Sequence, residues 1–248
     1  MKKIDCACHL GYDPLQELGV ELPELQALFR EHEVATAILH PIGSGYIQRF
    51  REQNAELAGI CAGSSRLLYF CTVNPWFGDD ALGELEECFS RRGAAGLSFD
   101  TSRQGLYIDS PMIFPFIEMA ERHAKPVYFL TGIPVFALPL NLASLARRFR
   151  GVSFIMGAMG VSDYWGDIIP SFRLADNLYL ETSMNTNVPA VLKDFVSEFG
   201  DQKILFGSSY PYTDYTMEYR KIERAGLPAE SLERIFYGNA CRLFGIEE

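Results

Sequence analysis

Four side chains capable of acid–base or nucleophilic chemistry lie where apolar runs of the sequence end. His9 ends the first run, His40 the second and Asp100 the fourth, while Ser209 follows the eighth. Because histidine titrates near neutral pH, His9 or His40 is a candidate general acid or base; the alternative for each is a hydrogen-bonded structural role. Asp100 is the carboxylate best placed to pair with a histidine, or else it caps the helix that follows.

Two interpretations of Ser209 remain open. The residue follows a Gly-Ser pair at a strand end. A hydrolytic Ser209–His9 pair oriented by Asp5 or Asp100 would make it a nucleophile. Alternatively, serine is a small polar residue that can be buried at a lower cost than an unpaired carboxylate. The second interpretation is the simpler one, and Ser209 stays a candidate.

Short apolar runs alternate with helical patterns along the chain, and this order positions the candidate residues. Eight runs are predicted to be strands, at residues 4–11, 35–41, 67–73, 94–100, 126–130, 152–156, 177–182 and 203–207. A helical pattern follows each of them, most clearly over residues 188–199. Uniformly apolar strands that alternate with helices are typical of buried parallel sheets. The sequence therefore predicts a single-domain (β/α)8 TIM barrel over residues 1–248, with its site at the carboxyl ends of the strands.

The composition indicates a globular protein and argues against several classes of partner. The chain has 248 residues, 48% of them hydrophobic, and a formal net charge of -10. The acidic balance and the lack of basic runs argue against nucleic acid or an anionic membrane as partner. No apolar run approaches the roughly 18 residues of a membrane span, and the N-terminus lacks the apolar region of a secretory signal. We therefore expect a cytoplasmic protein.

The six cysteines are predicted to be buried free thiols. The alternative is a soft-metal site formed by Cys6, Cys8 and His9. In a regular strand, Cys6 and Cys8 point to one face and His9 to the other, so the three side chains do not converge. The sequence therefore argues against a metal site of this kind.

Aromatic and polar side chains are dense in the loops after the predicted strands, where a ligand would enter. The predicted substrate-binding residues are Asn74, Trp76, Thr131, Met159, Tyr210 and Tyr212. Such a lining suits a flat or apolar small molecule with a few polar anchors. Aromatic residues are also common at subunit interfaces, so a homodimer that uses these loops is the alternative.

Phrases at the strand ends resemble the amidohydrolase-related family, which includes small barrel hydrolases and decarboxylases of aromatic carboxylates. The opening residues 5–11, Asp-Cys-Ala-Cys-His-Leu-Gly, are similar to the family pattern Asp-x-His-x-His-x-Gly. Further similar phrases cover residues 72–75, 125–132, 154–160, 204–211 and 238–245. Phrases in the family's order along the whole chain imply the family's barrel fold and a common ancestry.

The resemblance also implies a metal site, and this chain departs from it. Family members bind one divalent metal, commonly zinc, through the two opening histidines, a strand-five histidine and a strand-eight aspartate; a strand-six histidine lies nearby. The corresponding residues are, in that order, Ala7, His9, Leu130, Ser209 and Ala158. Of these, His9 alone has a good donor atom, whereas a catalytic zinc requires about three protein ligands. The departure predicts a barrel that uses no metal or other cofactor.

Three functions are compatible with these observations. The first is a metal-free, diverged hydrolase or carboxy-lyase that acts on a small organic acid or ring compound through His9 with Asp100, His40 or Ser209. The second is a non-catalytic paralogue that binds a small molecule or serves as a subunit beside an active enzyme. The third is a metal-dependent hydrolase with atypical ligands around His9. The missing ligands favour the first.

Overall fold

Eight parallel strands form a barrel in the computed structural model, which describes residues 1–247 except the side chain of Ser162. In chain order the strands are β1 (Lys3–His9), β2 (Gly11–Asp13), β3 (Leu18–Val20), β4 (Val34–His40), β5 (Leu67–Cys71), β6 (Gly96–Phe99), β7 (Val127–Leu130), β8 (Phe154–Gly157), β9 (Leu178–Glu181) and β10 (Ile204–Leu205). Strands β1 and β4 to β10 pair in that order, while β2 and β3 form a separate hairpin. The predicted (β/α)8 fold is confirmed.

Backbone hydrogen bonds join the last strand segment to the first. The Cys6 N–H donates to the Phe206 carbonyl at 2.9 Å, and the Ser209 N–H donates to the Ala7 carbonyl at 2.6 Å. The His9 N–H donates to the Tyr210 carbonyl at 2.8 Å. These bonds bring residues from opposite ends of the sequence together and place His9 beside the segment that carries Ser209.

Helices cover the outside of the barrel. They are α1 (Leu22–Glu31), α2 (Phe50–Ala62), α3 (Asp79–Ser90), α4 (Thr101–Gln104), α5 (Phe114–Arg122), α6 (Pro139–Arg148), α7 (Val161–Tyr164), α8 (Ile168–Leu174), α9 (Val188–Phe199), α10 (Tyr215–Glu223), α11 (Ala229–Glu233) and α12 (Asn239–Phe244). Helix α9 shows the local logic, since Val188, Val191, Leu192 and Phe195 recur at helical spacing and are all buried. Proline in its first turn suits a position without an intrahelical N–H bond.

Shorter segments of other geometry interrupt this pattern. Turns of 3-10 helix cover Gly43–Tyr46, Pro75–Phe77, Pro111–Ile113, Ala158–Gly160 and Trp165–Asp167, and Arg234–Gly238 is a π-helix. The helix predicted over residues 163–174 is therefore divided between α7, a 3-10 turn and α8. The β2–β3 hairpin was not predicted, because three-residue strands are too short to show a periodic pattern. Among the described residues, no helix is long and apolar enough to cross a membrane.

Two apolar clusters hold the fold together, one between the strands and the helices and one inside the barrel. The inner cluster includes Ile4, Cys6, Ala7, Ile38, Phe70, Tyr128, Ile155 and Leu205. Fully burying an aliphatic or aromatic side chain contributes roughly 1.5–3 kcal/mol each. The barrel interior is thus a packed core below the site.

Strand β1 departs from regular alternation between Asp5 and Cys8, where its register with β4 shifts. As a result Cys6 and Ala7 both belong to the inner cluster, whereas Cys8 belongs to the outer one. The expectation that Cys6 and Cys8 share a face is therefore wrong, because an irregularity in pairing resets which side of the sheet each residue faces. The irregularity also separates Cys6 from Cys8, the two thiols of the alternative soft-metal site.

Candidate active site

A cavity of about 470 Å³ opens at the carboxyl ends of the barrel strands. It is lined by His9, Leu15, Gln16, Tyr46, Asp100, Ser102, Arg103, Tyr128, Leu130, Ile133, Met184, Ser209 and Tyr212. A second cavity, of about 260 Å³, lies at the starts of β4 and β5. Because active sites of these barrels lie at the carboxyl ends of the strands, the larger cavity is the candidate site.

His9 presents one ring nitrogen with a free lone pair. Its Nδ1 lies 2.7 Å from the carbonyl oxygen of Pro41. A carbonyl can only accept, so Nδ1 carries the proton and Nε2 is unprotonated in the neutral ring. Burial lowers the pKa of His9 to about 4, and the nearby Arg103 charge acts in the same direction. At neutral pH His9 is therefore an uncharged proton acceptor at the cavity wall.

His40 is not among the residues that line the cavity. Its ring centre lies 5.7 Å from that of His9, but the side chain is fully buried. His40 Nε2 donates to the Cys6 carbonyl at 3.0 Å, so Nδ1 accepts from Ser98 Oγ at 3.1 Å. Tyr46 then donates to Ser98 Oγ at 2.9 Å. Both His40 nitrogens are therefore hydrogen-bonded inside the barrel, and burial lowers the pKa of His40 to about 3. Of the three hydrogen-bonded residues His40, Ser98 and Tyr46, it is Tyr46 that reaches the cavity.

Asp100 pairs with an arginine rather than with a histidine. It accepts from the Arg103 backbone N–H at 3.2 Å, as a cap on α4 does, and its Oδ2 lies 3.1 Å from Arg103 Nε. Arg103 Nη2 also donates to Asp13 Oδ2 at 2.6 Å, and Tyr212 donates to the same oxygen at 2.9 Å. The predicted capping alternative for Asp100 is thus what the structure shows.

The ion pair of Asp13 and Arg103 is held in its charged form. Burial raises the pKa of Asp13, but hydrogen bonds from Tyr212 and the Leu15 N–H and the charge of Arg103 outweigh it, so the pKa is lowered overall. The pKa of Arg103 is raised, because the neighbouring Tyr212, Asp100 and Asp13 outweigh its burial. A cation with two anionic partners therefore lies at one side of the cavity.

Ser209 is hydrogen-bonded to another serine, and no bond to His9 is seen. Its Oγ lies 2.8 Å from Ser183 Oγ, which in turn donates to Glu181 Oε2 at 2.9 Å. Asp5, the proposed orienting acid, instead accepts from the hydroxyl and N–H of Ser208 at 2.6 and 3.0 Å. The Ser209–His9 pair oriented by Asp5 or Asp100 is therefore not what the structure brings together.

Glu181 is a carboxylate buried within the barrel. It accepts hydrogen bonds from the Ala158 N–H at 3.0 Å, the Ser183 N–H at 2.6 Å, the Ser183 hydroxyl at 2.9 Å and the Tyr128 hydroxyl at 3.2 Å. Burial raises the pKa of Glu181, and these hydrogen bonds offset part of the rise. The ring of Tyr128 reaches it by crossing the space beside Gly157, where an added Cβ would lie 2.1 Å from the ring.

The predicted substrate-binding residues divide into one that lines the cavity and five that do not. Tyr212 lines it, with its ring 5.0 Å from His9 in an edge-on arrangement. The others are occupied elsewhere: Asn74 binds the Ile47 carbonyl, Trp76 the Gln104 carbonyl, Thr131 the Gly157 carbonyl and Tyr210 the Glu24 carboxylate, while Met159 is fully buried. Direct substrate contact by these five residues stays a prediction that this cavity does not support.

The positions that correspond to the family's metal ligands do not come together as a ligand set. Ala7 is buried in the inner cluster and Leu130 forms part of the cavity wall. Ala158 contributes its N–H to Glu181, and every oxygen of that carboxylate already accepts a hydrogen bond. Among the described residues, no three His, Cys, Asp or Glu side chains form a group that could hold a metal ion. The residues present do not fit the three-ligand site of a catalytic divalent metal.

Several residues at the site were not singled out from the sequence: Asp13, Tyr46, Arg103, Tyr128, Glu181 and Ser183. Two of them had a usable signal. Arg103 follows the strand-end Asp100 by three positions, which are one helical turn, and Glu181 is a carboxylate inside a predicted apolar strand. Asp13 had no such signal, because the unpredicted β2–β3 hairpin carries it to Arg103 and Tyr212, which line the cavity.

Comparisons with known proteins agree with this architecture. A model of the amidohydrolase family matches residues 4–246. No curated protein matches the chain significantly. The structure of 5-carboxyvanillate decarboxylase from Sphingomonas paucimobilis is similar with a TM-score of 0.80 at 17% identity, over 99% of both chains.

Two further solved structures are similar over nearly their whole lengths. The 2,6-dihydroxybenzoate decarboxylase from Rhizobium has a TM-score of 0.79 at 20% identity, over 100% of this chain and 99% of that one. A dihydroxybenzoic acid decarboxylase from Polaromonas sp. JS666, solved with bound manganese and the inhibitor 2-nitroresorcinol, has a TM-score of 0.76 at 20% identity, over 100% and 98%. At such identities the likeness shows the fold. The family match over residues 4–246, on a barrel of eight parallel strands, shows that this chain belongs to the amidohydrolase family.

Proposed function

We propose that the protein is a metal-free, diverged amidohydrolase-family enzyme that hydrolyses or decarboxylates a small organic compound, either an aromatic compound or a carboxylate. The observation that carries the proposal is the state of His9 at the cavity wall. Its Nδ1–H is fixed on the Pro41 carbonyl, so the unprotonated Nε2 is the base that a bound substrate or water would meet.

The cavity suits a planar acid. Its wall combines the phenol rings of Tyr46, Tyr128 and Tyr212 with the apolar Leu130 and Ile133. Arg103 uses Nε and Nη2 for its two aspartates, and its Nη1 carries two further N–H donors for a substrate carboxylate. Solved relatives in fold are decarboxylases of carboxyvanillate and dihydroxybenzoate, which supports the same class of compound here.

His9 supplies the proton-accepting step in either reaction. In hydrolysis, Nε2 takes a proton from the water that attacks the carbonyl carbon. In decarboxylation of a hydroxybenzoate, Nε2 accepts the proton of the ring hydroxyl, which raises the electron density of the ring. The protonated Nε2 then donates this proton to the ring carbon that bears the carboxylate, and the bond between that carbon and the carboxylate breaks to release CO2 and a phenolate. Because its pKa is lowered to about 4, the ring is uncharged and available at neutral pH. A positioned general base contributes about 100-fold or more to a rate.

The absence of a metal is part of the proposal and has its own test. The ligand positions hold Ala7, Leu130, Ala158 and Ser209, and Glu181, the carboxylate that binds the Ala158 N–H, already accepts four hydrogen bonds. Elemental analysis of protein purified without chelators is expected to find well under one equivalent of zinc, manganese or iron. A stoichiometric metal would contradict this part of the proposal and favour a metal-dependent hydrolase with atypical ligands.

Turnover tests the enzyme itself. The probes are 2,6-dihydroxybenzoate, 5-carboxyvanillate and a set of aromatic lactones and esters, with product formation followed by chromatography and CO2 release. We expect turnover of at least one probe and a rate about 100-fold lower in His9→Ala. The matched control His123→Ala is expected to keep the wild-type rate, because His123 pairs with Glu86 on the outside of the barrel. Turnover that survives His9→Ala rules out the base.

A binding protein or a subunit beside an active enzyme is the second candidate function. It is favoured by the fact that His40, Asp100 and Ser209 are all tied into internal hydrogen bonds. Thermal stabilisation by a probe without any turnover would support it. A cytoplasmic homodimer also stays a proposal, and exposed aromatic residues such as Trp76, Tyr107 and Trp165 support the interface. Sedimentation of the purified chain tests the dimer.

A further inference from the structure

Three hydrogen-bonded side chains lie in a row behind the cavity, and the first of them presents its hydroxyl at the cavity wall. Ser209 lines the cavity, Ser183 lies 2.8 Å behind it, and Glu181 lies 2.9 Å behind Ser183. Ser183 and Glu181 are fully buried, and Ser209 is 1% exposed. Buried polar groups are costly unless their hydrogen bonds are made, so this arrangement is held in one geometry.

The hydrogen positions in this chain follow from what each group can donate. Glu181 already accepts from two backbone N–H groups and the Tyr128 hydroxyl, and Ser183 donates its hydroxyl proton to it. The remaining proton between the serines is therefore that of Ser209, which donates to Ser183 Oγ. This leaves the lone pairs of Ser209 Oγ for the cavity.

The backbone at Ser209 is held in an uncommon conformation. Its φ is 49°, in the left-handed region that non-glycine residues avoid. Two hydrogen bonds fix it there: the Ser209 N–H donates to the Ala7 carbonyl at 2.6 Å, and the Tyr212 N–H donates to the Ser209 carbonyl at 2.8 Å. Such conformations cluster at functional sites, where the surrounding structure supports their strain.

We propose that Ser209 is an activated nucleophile whose proton passes through Ser183 to the buried carboxylate of Glu181. The substrate class is an ester or lactone of an aromatic ring compound. Ser209 Oγ bonds to the carbonyl carbon as its proton moves to Ser183 Oγ and the Ser183 proton moves to Glu181. The carbonyl carbon–oxygen bond of the substrate ester breaks, and the leaving alkoxide takes a proton from water in the cavity. The hydroxide so formed hydrolyses the acyl–Ser209 ester, and Ser209 Oγ takes its proton back from Glu181 through Ser183.

The substrate class of this inference rests on the proposed function, whereas the roles of Ser209, Ser183 and Glu181 rest on their geometry alone. Burial makes Glu181 more basic than an ordinary carboxylate, which suits an acceptor at the end of the chain. Glu181 and Ser183 are positioning residues, because neither lines the cavity, while Ser209 is the catalytic residue.

Covalent labelling tests the proton path from Ser209 through Ser183 to Glu181, and it requires no known substrate. The full-length protein is treated with phenylmethanesulfonyl fluoride, whose fluoride leaves as the Ser209 Oγ–sulfur bond forms, and the product is measured by intact mass and peptide mapping. We expect a single label on Ser209 and a rate at least about tenfold lower in Glu181→Gln and Ser183→Ala. Ser183→Thr, which keeps the hydroxyl, is expected to restore much of the rate.

Matched variants control for damage to the fold. Glu84→Gln removes a buried carboxylate elsewhere, and Ser171→Ala removes a buried hydroxyl that has no hydrogen-bond partner among the described residues. Both are expected to label at the wild-type rate, with folding checked by circular dichroism. An unlabelled Ser209 in the wild type, or an undiminished rate in Glu181→Gln, overturns the inference. If labelling depends on Glu181 but the protein turns over no carboxylate probe, the proton path from Ser209 to Glu181 is supported and the proposed function is rejected.

Discussion

Arg103 Nη2 lies 2.6 Å from Asp13 Oδ2, although the two residues are 90 positions apart in the sequence. The bond joins the β2–β3 hairpin after the first barrel strand to helix α4 after the fourth. Asp100 holds Nε of the same guanidinium and Tyr212 donates to the same Asp13 oxygen, so three side chains fix one cation at the cavity. The relationship explains why the hairpin belongs to the site.

We expect Arg103→Lys to weaken binding of 2,6-dihydroxybenzoate about tenfold, because an ammonium cannot satisfy two aspartates and a carboxylate in a fixed planar fork. Isothermal titration calorimetry measures the change. The matched control is Arg234→Lys, which alters the comparable Arg234–Asp201 pair on the outside of the barrel and is expected to leave binding unchanged. Equal affinities in wild type and Arg103→Lys would exclude Arg103 as the anchor.

Acid is expected to destabilise the fold through its buried histidines. The pKa of His9 falls from 6.5 to about 4 on folding, and that of His40 to about 3. Between these values the unfolded chain binds more protons than the native one, so stability is lost as pH falls from about 6.5 toward 4. For His9 alone the loss is on the order of 3 kcal/mol. The free energy of unfolding, measured with urea at several pH values in this range, should fall less steeply with decreasing pH in His9→Gln than in the wild type. An identical pH dependence in the two proteins would refute the lowered pKa of His9.

Asp5 is expected to act in the opposite direction. Burial raises its pKa from 3.8 to about 7, and hydrogen bonds from Ser208 and the Ala7 N–H offset part of the rise. The native state then binds the extra proton, so this contribution is present below the unfolded pKa and lost as pH rises toward 7. Asp5→Asn, which imitates the protonated acid, should therefore gain stability relative to wild type between pH 5 and pH 8. Urea unfolding at both values tests this, and a constant difference would contradict it.

Gly132 is expected to tolerate no side chain. Its φ is 93°, and an added Cβ would lie 2.1 Å from the backbone carbon and oxygen of Gly160, in the loop that follows β8. We predict that Gly132→Ala lowers the free energy of unfolding by about 3 kcal/mol or more, since rigid backbone has to move. Gly105→Ala is the matched control: its φ of 66° and ψ of 36° are left-handed helical and nothing lies within 4 Å of the added Cβ, so about 1–2 kcal/mol is expected. Thermal unfolding compares the two, and equal losses would refute the steric argument.

The sequence by itself determined the barrel, because eight short apolar runs with intervening helical patterns have few ways to bury their faces. It also determined which donor types are available at the strand ends: His9 stands alone where the family has a ligand set. These are properties of residue type and local spacing, and they do not depend on where side chains point.

Tertiary structure decided the partners of those residues. Whether Ser209 bonds to His9 or to Ser183 depends on residues at different strand ends, which only the folded barrel brings together. The Asp100–Arg103 pair is local, but the folded structure decides that it forms in place of a pair with a histidine. The register shift in β1 and the short β2–β3 hairpin, which brings Asp13 to Arg103, also leave no periodic signal in the sequence. Glu181 is the clearest case: the sequence shows a carboxylate in an apolar strand, but only the folded barrel shows the four hydrogen-bond donors that bind it.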